Sequence, residues 1–459
     1  MSDTATLDAV LDRIDAERHR ALDRLTELLR IPSISTDPAH ASDCETAADW
    51  LVAELRHLGF DAAKRPTRGR PMVVAHAGEG ERHVLFYGHY DVQPVDPLKL
   101  WRRDPFDPVV EETNDGGVIR ARGASDDKGQ LMTFVEACRA WKAETGTFPC
   151  RITVLFEGEE ESGSPSLVPF LEANADELRA ELALICDTGL HDDRVPAIVT
   201  TLRGLVGEEI TIQGPDKDLH SGLYGGLARN PATVLARVLG GLHDDDGRIQ
   251  VPGFYDGVAD LDPERAAAWR DLNFSEEAFL GQVGLSSPAG ERGRTGLEQL
   301  WSRPTAEVNG LQAGYTGAGF KTVLPSRATA KVSFRLVGGQ DPLRVRESFR
   351  DWVIEQMPHD CTATFRSHGA SAASAMDTSH PIFVAMREAL TAEWGVDAAF
   401  TGGGGSIPIA GHFQRVLGMQ SLLTGFAKDD DAIHSPNEKY DVCSFHKGIR
   451  SWARLLARL

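Results

Sequence analysis

At 459 residues, with 41% hydrophobic and 25% charged content, the chain is too long for one simple core and too apolar to be mainly disordered, so two domains are expected. A formal net charge of −20 excludes non-specific nucleic-acid binding, because nothing here would replace counterions along a phosphate backbone. Six scattered cysteines without a CxxC pair exclude a disulfide framework or a cysteine zinc site, the charged N-terminus lacks a leader-type apolar core, and no apolar run is long enough to span a bilayer; a cytoplasmic protein without membrane partners is expected.

Leu7, Val10, Leu11, Ile14, Leu22, Leu25, Leu28 and Leu29 recur at helical spacing, predicting one amphipathic helix over 6–30, stopped by Pro32. A second helix fits 46–58, closed by Gly59, and a strand fits 71–77. A buried-type strand over 83–87 follows, then a loop from Pro94 to Pro108, a short strand over 117–121 and a helix over 130–144. Strand 152–157, helix 166–175 and strand 182–186 complete an alternation that predicts an α/β sheet with helices on both faces and sites at the carboxyl ends of its strands.

From about Arg203 the pattern changes to strand 208–213, helix 231–242, a long irregular stretch over 243–305 with one helix near 262–278, strand 329–336, helix 342–357 and strand 361–366. This reads as an inserted α+β unit over 203–375. Helix 381–393, the glycine run Gly402–Gly405, an apolar stretch at Leu422 and a helix over 440–458 return to the α/β pattern, so 1–202 and 376–459 form one domain.

His89, Asp126, Glu161, Asp187 and His434 are five hard or borderline ligands, each just beyond a strand-like run or in a turn. Such a set is what two divalent metals need to share a bridging carboxylate and hold a water, which points to metal-assisted hydrolysis. Locally each has an ordinary alternative. The pair His89 and Asp91 can also be a turn hydrogen bond, Asp126 and Asp127 a helix N-cap and first-turn acid, and Glu159-Glu160-Glu161 a solvated acidic turn. Asp187 reads as a common strand-end acid, and His434 as an ordinary histidine. The force lies in the set, within which two neighbouring glutamates can divide metal binding from proton transfer.

Five segments in order, Tyr87–Pro94, Arg122–Gly129, Glu157–Ser164, Asp218–Gly222 and His434–Lys439, make the chain resemble the dinuclear zinc peptidases of the cytosolic non-specific dipeptidase and carnosinase type. The wider family includes aminoacylases, acetylornithine deacetylases and succinyl-diaminopimelate desuccinylases. The resemblance implies two divalent ions per subunit, with zinc expected and manganese or cobalt compatible with the same donors. It implies His89 and Asp187 on one metal, Glu161 and His434 on the other, and Asp126 bridging. Asp91 would orient His89, and Glu160 would be the general base for the metal-bridging water. By the same resemblance the inserted unit is a lid and dimerisation domain of a homodimer, with His220 reaching the partner's site to stabilise the oxyanion. Arg335 would clamp the substrate's terminal carboxylate, and Ser406 would help hold that end.

One departure bears on the substrate. The dipeptidase branch usually carries an arginine and an acid where this chain has Gly402 and Gly403. The leading expectation is cleavage of dipeptides or short peptides with a free C-terminal carboxylate. Loss of those two side chains supports the alternative, an N-acyl-amino-acid amidohydrolase with the same metal centre. A binding module with structural metals would predict erosion of the catalytic set, yet Glu160 and Asp91 are both present.

Overall fold

The computed structural model describes residues 3–113, 116–405 and 407–459. Two compact units divide the chain: one runs to Thr200 and resumes over Met376–Thr401 and His412–Leu459, and the other comprises Thr201–Ala375 and Gly402–Gly411. Residues 402–411, which the sequence pattern placed with the flanking α/β part, thus belong with the inserted one. The physical reason is local: Arg203 Nε donates to the Gly404 carbonyl at 2.8 Å, and Gly402 lies hard against Trp301.

The core of the first unit is a mixed sheet. Strands Arg151–Glu157, His83–His89, Leu182–Ile185 and Gln420–Thr424 lie side by side in that order and run parallel. Antiparallel neighbours flank them, Met72–Ala77 and Asp61–Arg65 on one side and Ala197–Leu202 on the other. The central strands are buried along almost their whole length, the near-continuous apolar pattern expected of parallel strands covered on both faces. Phe86 points to one face, stacked on Phe134 of helix Lys128–Thr145 at 3.9 Å between centroids and edge-on to Trp452 of helix Val442–Leu456. Its neighbour Tyr87 points to the other face and meets Phe413. This alternation locks the strand that ends in His89 from both sides.

At the N-terminus two helices, Asp3–Ala16 and Arg18–Leu29, replace the single expected one. The apolar stripe persists across the break, with Val10, Leu11, Ile14, Leu22, Leu25, Leu28 and Leu29 all buried, so periodicity alone does not reveal it.

The second unit is an antiparallel sheet in the order Thr305–Ala313, Arg327–Leu336, Gly204–Gln213, Thr362–Ser371. One face carries Val206, Ile210, Ile212, Val332 and Phe334, packed with Leu235 of helix Pro231–Gly240 and Phe349 and Val353 of helix Pro342–Glu355. The strand Thr305–Ala313 falls at the end of a stretch read as irregular. Only Ala306 of its residues is buried, and a bulge lies between Val308 and Gly310, so it offers no period-two pattern. The helix expected over 262–278 is two short ones, Pro263–Asp271 and Glu276–Gly281, each started by its own side-chain cap, Asp262 and Ser275.

Candidate metal centre

Three of the candidate ligands share one edge of the first unit's sheet because its central strands are parallel. His89 ends its strand, Glu161 lies four residues past Glu157, and Asp187 lies two past Ile185. Asp126 differs: it lies beyond Val118–Arg120, a strand of a separate three-stranded sheet, in the turn that opens helix Lys128–Thr145. His434 follows the last parallel strand in a segment where Ala432, His434 and Asn437 all have positive φ, at 55°, 58° and 68°. That coil is strained for residues with a side chain, and Asn437 holds it, accepting from Arg102 N at 2.7 Å and donating to the Leu100 carbonyl at 2.9 Å.

These segments bring His89, Asp126 and Asp187 into one group, and Asp126, Glu161 and His434 into another, each with ligand atoms within 4.8 Å of one another. Asp126 belongs to both: its Oδ1 lies 3.1 Å from His89 Nε2 and its Oδ2 2.8 Å from His434 Nε2. His434 Nε2 is also 3.3 Å from Glu161 Oε2. A third acidic group, Asp430, Asp431 and Asp441, already surrounds a cation, since Lys439 Nζ donates to all three at 2.7 Å.

The electrostatics of the two groups call for positive charge. Burial, reinforced by Asp126, pushes the Asp187 carboxyl well above the usual range. Burial would do the same to Asp126, but hydrogen bonds to His434 and His89 outweigh it and hold that carboxyl below its usual value. The same bonds raise both imidazoles, His434 to about 10 through Asp126 and then Glu161. Glu161 Oε1 is buried without a hydrogen-bond partner. Two imidazoles and three carboxylates, with one carboxylate shared and another keeping an unpartnered oxygen, fit two divalent cations.

Asp91 is fully buried and ties the cluster together. Its two oxygens accept from the backbone amides of Glu160 and Glu161, at 3.2 and 3.0 Å, while its Oδ1 lies 3.4 Å from His89 Nδ1. Glu160, in the turn after Glu157, has its carboxyl raised by burial and by the charges of Glu161, Asp91 and Asp126, against an opposing pull from His89. A carboxylate raised towards neutral pH suits a group that must accept and return a proton.

A match to peptidase family M20/M25/M40 spans residues 85–458. The chain is a member of that family. It is 31% identical over 473 residues to the Cys-Gly metallodipeptidase DUG1 of Saccharomyces cerevisiae, covering 98% of both chains. It is 28% identical over 474 residues to the Beta-Ala-His dipeptidase of Homo sapiens, covering 98% of this chain and 92% of the relative. Among solved structures, the M20 family metallo-carboxypeptidase Sso-CP2 from Sulfolobus solfataricus superposes with a TM-score of 0.83 at 32% identity, covering 95% of this chain and 98% of that one.

The remaining predicted residues lie in the second unit. His220 ends the short strand Leu219–His220 and is exposed; its Nδ1 accepts from the Gly222 amide at 3.0 Å, so in the neutral ring the proton sits on Nε2. Arg335 lies on strand Arg327–Leu336, on the face opposite Phe334. Ser406 lies outside the described residues.

Sequence reasoning gave no role to several groups that hold the cluster. Glu438 is fully buried and accepts from Arg122 Nη1 at 2.7 Å and from the amides of Gly123, Ser125 and Asp126 at 3.0, 2.9 and 3.1 Å. It thereby fastens the His434 segment to the Asp126 turn. Asp127 makes no side-chain cap on its helix; its Oδ2 accepts from the His89 amide at 3.1 Å. Gln93 donates to Glu161 Oε2 at 2.6 Å. All lie inside the recognised segments, but a buried residue that grips a backbone leaves no period or spacing to read.

Proposed function

We propose that this M20-family enzyme is a metal-dependent dipeptidase that hydrolyses dipeptides and short peptides with a free C-terminal carboxylate. The observation that carries the reading is the pair of ligand groups sharing Asp126, with Glu160 beside them. Full-length similarity to proteins named dipeptidases favours peptides over N-acyl amino acids as substrates.

In this reading His89, Asp126 and Asp187 would hold one ion and Asp126, Glu161 and His434 the other, with zinc as the native metal. The ions would supply Lewis acidity toward the scissile carbonyl and make a water acidic enough to act as nucleophile near neutral pH. Glu160 accepts the nucleophile's proton at its carboxylate and delivers it to the departing amine. Asp91 keeps His89 in one tautomer and, by gripping the amides of Glu160 and Glu161, fixes base and ligand relative to each other. His220 offers its Nε2–H as an oxyanion donor, and Arg335 its planar fork to the substrate carboxylate, with Ser406 at the same end.

The enzyme works as a cytoplasmic homodimer in which His220 serves the partner's site and the second unit acts as lid and dimerisation domain. Support comes from the exposed apolar side chains Leu223, Leu227 and Phe320, at 76%, 89% and 91% exposure, and from Thr305–Ala313, the edge strand of its sheet. Among the described residues no helix is long and apolar enough to cross a membrane.

The deciding experiment is hydrolysis of a matched panel by metal-reconstituted enzyme: a dipeptide, its N-acetylated form and a simple N-acyl amino acid. The free dipeptide is expected to be turned over fastest, and preference for the acylated compounds would overturn the reading. Mixing His220→Ala subunits with Glu160→Gln subunits should restore part of the activity that each alone lacks, because one composite site regains both groups.

A further inference from the structure

Glu157 closes strand Arg151–Glu157, is fully buried, and takes no part in the chemistry proposed above. Register pairs Tyr87 with Leu155 and His89 with Glu157. Residues two apart on a strand share a face, so Tyr87, His89 and Glu157 stand on one side of the sheet. There the Tyr87 hydroxyl donates to Glu157 Oε1. The same oxygen accepts from Ser164 Oγ at 3.0 Å. One carboxyl oxygen thus ties the strand that ends in His89 to a serine beyond the next turn.

That turn, between Glu157 and Ser164, carries Glu160 and Glu161. Its backbone folds back on itself: Gly163 N donates to the Glu160 carbonyl at 2.9 Å and Ser164 N to the Glu159 carbonyl at 2.7 Å. Both donors have positive φ, 86° at Gly163 and 52° at Ser164. Glycine enters that region freely, whereas a serine stays there only where its surroundings hold it. The hydroxyl's bond to Glu157 is such a hold. Asp91 grips the near end of the turn through the amides of Glu160 and Glu161, so two buried carboxylates secure it at both ends.

We propose that Glu157 is a positioning residue: through the Ser164 hydroxyl it fixes the far end of this turn, and with it the placement of Glu161 as a ligand and of Glu160 as a base. The proposal rests on the two-ion reading, in which Glu161 binds metal. A ligand that loses an outer hydrogen-bonding support typically binds metal about 10- to 100-fold more weakly. The loss should fall on one ion, because Glu161 belongs to the group with His434, while the group of His89, Asp126 and Asp187 contains no residue of the turn.

Ser164→Ala is the cleanest probe, since it keeps the Cβ and removes only the hydroxyl. Calorimetric titration of the metal-free protein with zinc should show one of two binding events weakened by about tenfold and the other unchanged. At saturating zinc, kcat for a dipeptide should fall by a similar factor with KM little altered, because Glu160 shares the turn. The melting temperature of the metal-free protein should barely move. Glu157→Ala should weaken the same event, and Glu157→Gln, which keeps Oε1 as an acceptor, should restore most of it. Wild-type affinity for both ions in Ser164→Ala overturns the proposal. So does equal weakening of both with a lowered metal-free melting temperature, the signature of a merely structural bond. Should Glu157→Ala fail to fold, Ser164→Ala decides. Two ions in wild type and an unchanged Ser164→Ala defeat this inference alone, whereas fewer than two ions in wild type defeat the two-ion reading with it.

Discussion

In the first unit buried carboxylates fasten the backbone of several residues at the candidate metal centre: Asp91 grips the Glu160 and Glu161 amides, Asp127 the His89 amide, and Glu438, paired with Arg122, three amides of the Asp126 turn. In the second unit the candidate substrate groups stand at the exposed end of a short strand, as His220 does, or on the polar face of a sheet, as Arg335 does. Both units contain buried ion pairs, so burial of charge alone does not separate them. Glu208 is as fully buried as Glu438 and meets Arg346 Nε at 3.0 Å and Arg350 Nη2 at 2.7 Å. The difference is what the pair is attached to. Glu438 holds a ligand's backbone, whereas Glu208 holds a helix against a strand.

Substitutions that separate those roles test the contrast. The largest effect is expected from Glu160→Gln, which should lower kcat by about 10²- to 10⁴-fold with metal content unchanged, as measured by steady-state kinetics beside metal analysis. Near-wild-type turnover would remove Glu160 from its role.

Next come the two buried glutamates. Glu438→Ala leaves the Arg122 guanidinium buried without its partner and should cost about 3–5 kcal/mol in denaturant unfolding, with weakened metal binding. Glu208→Ala should cost a similar or somewhat smaller amount, because Arg350 is partly exposed, yet leave metal affinity intact. Equal loss of metal in both would erase the distinction between the units.

Metal removal gives a pH signature confined to the first unit. With no cation present, the His434 pKa stands raised to about 10, above its unfolded value of 6.5. A base whose folded pKa is raised adds stability that is complete below pH 6.5 and is lost as pH climbs toward 10. The metal-free protein should therefore lose stability over that window in melting experiments, while metal affinity rises over the same range as the competing proton leaves. His434→Ala should flatten this contribution in the metal-free protein.

The smallest effect should be at an exposed pair. Lys64, 2.7 Å from both Glu45 and Asp49, should change unfolding free energy by no more than about 1 kcal/mol when replaced by alanine.

The same contrast explains what could be read before any coordinates. The first unit's architecture was legible because its parallel strands are continuous apolar runs, with His89 at the end of one and Glu161 and Asp187 in the turns just past two others. Asp126 and His434 were legible only as members of a set, since neither follows a strand of the main sheet directly. The break at Glu17 and the edge strand Thr305–Ala313 were not legible, one because the buried stripe ignores it and the other because its residues are mostly exposed. The role of Glu438 was hidden for a different reason: it grips backbone amides, which every residue carries.

The Glu438 clamp also has a consequence for the order of synthesis. On the ribosome, His89, Asp126, Glu161 and Asp187 emerge first, then the whole of residues 201–375, and only afterwards His434 and Glu438. A nascent chain can thus offer one ligand trio early but cannot assemble the second, or fasten the Asp126 turn, until the intervening unit has been made. Assembly of both ligand groups is thereby deferred to late translation.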